Sequence, residues 1–115
     1  MVVSHATEHR ITFYSSPDLI HWTEQSSFGG EGITSAVWEC PDFFTLNGKR
    51  VLMFSPQGMQ AEGFRNRNLF QSGYLIGEWQ PGQRFIRHGE FREMDNGHDF
   101  YAPQSFATPD GRRIV

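Results

Sequence analysis

Two short segments hold the residues best suited to chemistry. The first is Trp38-Glu39-Cys40-Pro41-Asp42-Phe43-Phe44, where a carboxyl stands between Trp and Cys at the start of an apolar run. Burial against apolar neighbours favours the protonated form of a carboxyl. A protonated carboxyl is what a general acid needs near neutral pH. Pro41 fixes the backbone after this pair and is expected to hold Cys40 extended. The plainer alternative is a Glu that caps a backbone group or meets an Arg. The second segment runs from Asp95 through Gly97, His98, Asp99 and Tyr101 to Gln104. Asp95, His98 and Asp99 have the donor types of a metal site, but a calcium loop needs a denser array of oxygens, and no metal is expected. Tyr101 stands two residues before Pro103, as Glu39 stands two before Pro41. The simplest role for Tyr101 is a buried ring with a satisfied hydroxyl.

The elements that must position these residues read as strands. Arg10 to Ser15 is rich in β-branched and aromatic residues and is stopped by Ser16-Pro17-Asp18. Phe43 to Leu46 and Lys49 to Ser55 flank Asn47-Gly48, whose turn needs positive φ twice. Gln71 to Trp79 reads as a strand interrupted by Gly73 and Gly77. Ser105 to Thr108 and Arg112 to Val115 flank Pro109-Asp110-Gly111, a second hairpin. No helical periodicity is sustained, and Pro17 to Trp22 makes one helical turn at most. The polar, glycine-rich stretch from Ser55 to Asn68 reads as a long loop of the kind that binds ligands, with Arg65 and Arg67 either meeting a phosphate or solvated.

The two hairpins can be laid over one another, with chance similarity between two β-hairpins as the plain alternative. PDFFTLNGKRVL from Pro41 lies over PQSFATPDGRRIV from Pro103, an offset of 62 residues with one extra turn residue in the second copy. That offset accommodates one four-stranded antiparallel sheet, the unit of a β-propeller blade. In a propeller, Glu39 and Tyr101 both begin innermost strands and face one central funnel, where the phenol would tune the carboxyl. The fold class is therefore all-β, about two blades of a propeller in residues 1–115, with both ends resembling cut strands.

Composition narrows the function classes. The chain has 115 residues, 37% hydrophobic and 15% aromatic, enough for a packed core. Net charge is −3 without a basic stripe, which argues against nucleic acid as a partner. Cys40 is the only cysteine, so neither an internal disulfide nor a paired-cysteine metal site is possible. No run approaches the roughly 20 apolar residues of a membrane helix, and no secretory leader is evident.

The motifs resemble those of a known family. WECPDFF is similar to the Glu-Cys-Pro motif of glycoside hydrolase family 32. LMFSPQGM, AEG, RN, FQSG, NGHDFYAPQSF and DGRRIV look like the sucrose and sucrose-6-phosphate hydrolases of that family, and the early MVVSHATEHRITFYSSPDLIHW looks like the stretch after its Arg-Asp-Pro motif. The resemblance implies a five-bladed β-propeller, usually followed by a C-terminal β-sandwich. It implies hydrolysis of β-D-fructofuranosides with retention, on sucrose or sucrose 6-phosphate, without a cofactor and in the cytoplasm. It makes Glu39 the acid/base and places Tyr101 near the acid/base and the fructose. Asp99 goes to the leaving-sugar subsite, and Trp38, beside the acid, joins the substrate-binding set.

The family's nucleophile lies in a Trp-Met-Asn-Asp-Pro-Asn-Gly motif and its transition-state stabiliser in Arg-Asp-Pro. Neither motif occurs here. Retaining hydrolysis needs two carboxyls roughly 5–5.5 Å apart. The chain alone is therefore expected to be inactive, a piece of a longer parent, and prone to associate through open strand edges. The alternatives are a fructan hydrolase or fructosyltransferase and, from a different class, a non-catalytic propeller that binds fructosides.

Overall fold

A computed structural model describes residues 1–98 and 100–115. Among the described residues ten strands carry the fold, and the one helical element is a single 3-10 turn at Ala6–Glu8. β1 (Val2–His5), β2 (Arg10–Ser15) and β3 (Thr23–Gly29) form an antiparallel meander. β4 (Val37–Leu46), β5 (Lys49–Gln57), β6 (Gly73–Glu78) and β7 (Ile86–Arg87) form a second sheet, with β8 (Arg92–Glu93) also pairing with β6. β9 (Phe106–Ala107) and β10 (Arg113–Ile114) form a short hairpin beside it. All pairings among these strands are antiparallel.

The local reasons are readable. Asn47 (φ 49°) and Gly48 (φ 75°) both adopt the left-handed conformation, closing β4 onto β5 with Leu46 opposite Lys49. Gly73 and Gly77 lie inside β6 rather than interrupting it. A Cβ on Gly77 would stand 2.3 Å from the Ile86 carbonyl oxygen, and one on Gly73 2.2 Å from that of Arg92. Glycine is there because β7 and β8 approach so closely. Pro17 to Trp22, which the sequence allows one helical turn at most, forms none. Instead Asp18 accepts the backbone N–H groups of Ile20 and His21 at 2.9 and 2.8 Å, a side-chain-closed turn.

The core lies between the first two sheets. Ile11, Phe13, Phe28, Trp38, Leu52, Phe54, Leu75 and Phe85 are essentially inaccessible. Aromatic rings dominate it. Trp38 packs on Phe54 at 4.8 Å and Phe28 at 5.9 Å between ring centres, and Phe13 contacts Phe43, Trp79 and Phe85. Such pairs add to the area they bury. Two polar ties seat the start of β4 on the first sheet: Ser4 donates to the Trp38 carbonyl, and the His9 ring meets the Ala36 carbonyl at 3.1 Å.

Candidate active site

The site begins with a bulge. Glu39 pairs with Ser55 and Asp42 with Met53, so Cys40 and Pro41 oppose Phe54 alone. One extra residue on β4 bends the strand and re-aims its side chains. Pro41 suits this place because it has no N–H to give the ladder. The extended geometry expected of Cys40 is not found. Its φ is +48°, because the bulge requires a left-handed residue and overrides the usual restriction before proline. Ala102, the matching residue before Pro103, has φ +57°. The two repeated segments therefore use the same unusual backbone step immediately after Glu39 and after Tyr101.

That step brings the carboxyl and the phenol together. Tyr101 Oη donates to Glu39 Oε2 at 2.5 Å. Gln57, the last residue of β5, donates from Nε2 to the same Oε2 at 2.7 Å and to Tyr101 Oη at 2.8 Å. All three side chains are partly buried. Burial, and then the bond to Glu39, push the Tyr101 hydroxyl up to about 12. It therefore stays protonated, and a donor, throughout the neutral range. Burial, followed by the charge of Glu39, also raises the Cys40 thiol, so it offers no thiolate nucleophile. Phe70 lies 5.2 Å from the Tyr101 ring, half exposed, and forms an apolar wall beside the phenol.

Polar ties hold the Tyr101 segment against β4 and β5. The Ala102 N–H donates to Ser55 Oγ at 3.2 Å, and Ser55 Oγ meets Ser72 Oγ at 3.0 Å in the interior. Asp42 accepts the Ser105 N–H at 3.1 Å and the Ser105 hydroxyl, and it pairs with Arg113 at 3.5 Å. Arg113 lies 3.7 Å over the Phe44 ring. A fixed aromatic face and a fixed carboxylate leave that guanidinium one position.

The sequence-derived set divides as follows. Glu39 and Tyr101 are in direct contact. Trp38 requires correction: its side chain is fully buried between Phe28 and Phe54, and further chain packed around it can only bury it more. It supports the strand from behind and does not reach a substrate. Asp99 lies outside the described residues. Gln57 was absent from the set, although it completes the cluster. Its signal was its place in Ser55-Pro56-Gln57-Gly58, read only as the beginning of a loop. Arg67 is committed to the Gly63 carbonyl at 2.8 Å and to the Phe64 ring. Among the described residues no three His, Cys, Asp or Glu side chains converge as metal ligands.

A carboxyl that accepts from a phenol and an amide on one oxygen, with the other oxygen free of protein partners among the described residues, can donate or take up one proton in a fixed direction. Comparison with known proteins shows the family. The sequence is 53% identical over 107 residues to sucrose-6-phosphate hydrolase of Escherichia coli, covering 92% of this chain and 22% of that protein. The fold matches the family 32 β-fructofuranosidase of Bombyx mori at a TM-score of 0.82 and 38% identity, covering 94% of this chain and 24% of that one; a variant of that enzyme has been solved in complex with sucrose. It also matches sucrose-6-phosphate hydrolase of Lactobacillus gasseri at a TM-score of 0.74 and 30% identity, covering 90% and 22%. The chain thus spans about a quarter of the length of these relatives. The model of the glycosyl hydrolases family 32 N-terminal domain matches residues 1–115. The chain belongs to glycosyl hydrolase family 32, within the β-propeller N-terminal domain.

Proposed function

We propose that this segment supplies the acid/base half of a retaining β-fructofuranosidase acting on sucrose or sucrose 6-phosphate. The observation that carries the reading is the Glu39 carboxyl held by Tyr101 and Gln57. In the first step Glu39 gives its proton to the glycosidic oxygen as the bond to the fructose anomeric carbon breaks. A carboxylate from outside this segment forms the new bond to that carbon. In the second step Glu39 takes a proton from water, and the water oxygen displaces the carboxylate, releasing fructose with its original configuration. Asp42 is not that partner, because Ser105 and Arg113 occupy it.

Residues 1–115 then act as part of a longer catalytic domain closed by five blades, and the separate chain does not cleave sucrose. Its unpaired strand edges associate with other copies when it is made alone, which light scattering would report as particles larger than a monomer. Glucose release from sucrose by the separate chain would refute the division of labour.

The decisive experiment uses the full-length protein containing this segment, with and without Glu39→Gln. The amide matches the shape of the carboxyl and cannot give up a proton. Loss of about 10²–10⁴-fold in kcat on sucrose or sucrose 6-phosphate, with an unchanged melting transition, supports the acid/base role. Full activity in the variant ends it. A parent that binds both sugars and cleaves neither is a fructoside-binding protein.

A further inference from the structure

We infer that Gln57 is the positioning residue of this site, and that it assigns proton transfer to Oε1 of Glu39. The inference rests on the acid/base reading above and adds the atom that performs it. An amide nitrogen carries two hydrogens, and a carboxylate oxygen has two in-plane lone pairs. Gln57 Nε2 gives one hydrogen to Glu39 Oε2 and the other to Tyr101 Oη. Tyr101 Oη passes its own hydrogen to the same Oε2. The three atoms close a tight triangle in which both donors converge on Oε2, while no described side chain bonds Oε1. A proton arriving at the carboxyl therefore lodges on Oε1, and a proton leaving for substrate leaves from there.

The amide must face this way round. With its oxygen turned inward, it would set an acceptor against the Glu39 carboxylate. Its backbone is also fixed. The Ala36 N–H donates to the Gln57 carbonyl at 2.7 Å, Gln57 pairs with Val37 on one side and bridges Phe70 on the other, and the buried Pro56 precedes it. Gly58, at φ +70°, turns the chain away directly afterwards. Gln57 is thus a short arm on a rigid strand end, the arrangement that holds a reacting group to a fraction of an ångström.

The test compares full-length wild type, Gln57→Leu, Gln57→Asn and Glu39→Gln on sucrose and on p-nitrophenyl β-D-fructofuranoside, whose leaving group departs with little protonation. Leu fills the space without a donor, and Asn keeps the donor but withdraws it by one methylene. Both are expected to lower kcat on sucrose by about 10²-fold with KM nearly unchanged, since misplacement of a catalytic group by about 1 Å has that effect. Both should keep kcat/KM on the nitrophenyl substrate within a few-fold. A change confined to KM, or an equal loss on both substrates, overturns the positioning role. If Glu39→Gln keeps its activity on sucrose, the acid/base reading itself fails. If Glu39→Gln loses sucrose hydrolysis while Gln57→Leu and Gln57→Asn behave as wild type, only the inference about Gln57 fails.

Discussion

The chain contains the same hairpin pattern twice, and the two copies fold to very different extents. From Pro41, the pattern runs along β4 to its end and into the first four residues of β5, strands of ten and nine residues, with Val51–Pro56 buried. From Pro103 it gives β9 and β10, of two residues each, with Phe106 60% and Ile114 42% exposed. The turn chemistry works in both. What differs is cover: β5 lies between β4 and β6 and faces the aromatic core, whereas among the described residues β9 pairs only with β10. Strand length is set by what packs on a strand more than by its own pattern. The candidate site straddles this difference. Its carboxyl stands on the deeply packed copy, and its phenol stands on the thin one, held by hydrogen bonds and one ion pair.

Packing on one side and polar ties on the other lead to opposite consequences when each is broken. The largest effect should follow Trp38→Ala. Removing a fully buried indole from between Phe28, Phe54 and His9 should cost about 3–5 kcal/mol, read as a lower midpoint of chemical unfolding of the full-length protein. The loss should be global, since that ring lies between the first two sheets. A change below about 1 kcal/mol would mean that the copy at Pro41 is not held by its core.

Asp42→Ala tests the other side. It removes the acceptor of both Ser105 donors and leaves Arg113 with Ser105 and the Phe44 ring but no carboxylate. The expected cost is about 1–3 kcal/mol for the partners left unpaired. It should be local: amide hydrogens at β9 and β10 should exchange faster, while those of β4 and β5 keep their protection. Because Tyr101 belongs to the loosened segment, kcat on sucrose should fall as well. Equal loss of protection in both hairpins would show one cooperative unit and remove the contrast.

How much of this was legible in the sequence follows the same line. β2 is found at Arg10–Ser15 as expected, and both turns are where Asn47-Gly48 and Pro109-Asp110-Gly111 put them, because those depend on neighbouring residues. β3 was missed. Its TEQSSFG sequence buries only Phe28, and it is a strand because β2 offers it a partner. The Glu39 and Tyr101 pair was legible through the repeat. The left-handed Cys40, the full burial of Trp38 and the role of Gln57 were not, since each is decided by what lies across the ladder or the core.

A smaller effect separates the two turns. Gly48 (φ +75°) and Gly111 (φ +85°) both have open space where a Cβ would go, so alanine meets no clash and costs only its backbone preference. That is about 1 kcal/mol at each. Gly48→Ala should appear in global unfolding, because β4 and β5 belong to the core. Gly111→Ala should appear only as faster exchange in β9 and β10. Equal shifts in the global midpoint would show that the thin hairpin is as cooperative as the thick one.

The smallest effect is a pH response that only the second turn possesses. Asp110 is held below the ordinary carboxylate range by the Thr108 hydroxyl and then by the Arg112 N–H, with the Arg112 side chain assisting at 2.8 Å. A lowered carboxylate contributes its full effect above its unfolded value, about 3.9 for Asp, and loses it as pH falls through the lower folded value. The turn from Leu46 to Lys49 has no carboxyl. Acidification below about pH 4 should therefore shift the amide resonances of Thr108, Gly111 and Arg112 and loosen β9 on β10, before the Asn47-Gly48 turn responds. Asp110→Asn should remove the pH dependence at the second turn and leave the first as it was. If the resonances of both turns moved together, acid would be acting through the shared core, and the polar ties would not be the weaker of the two supports.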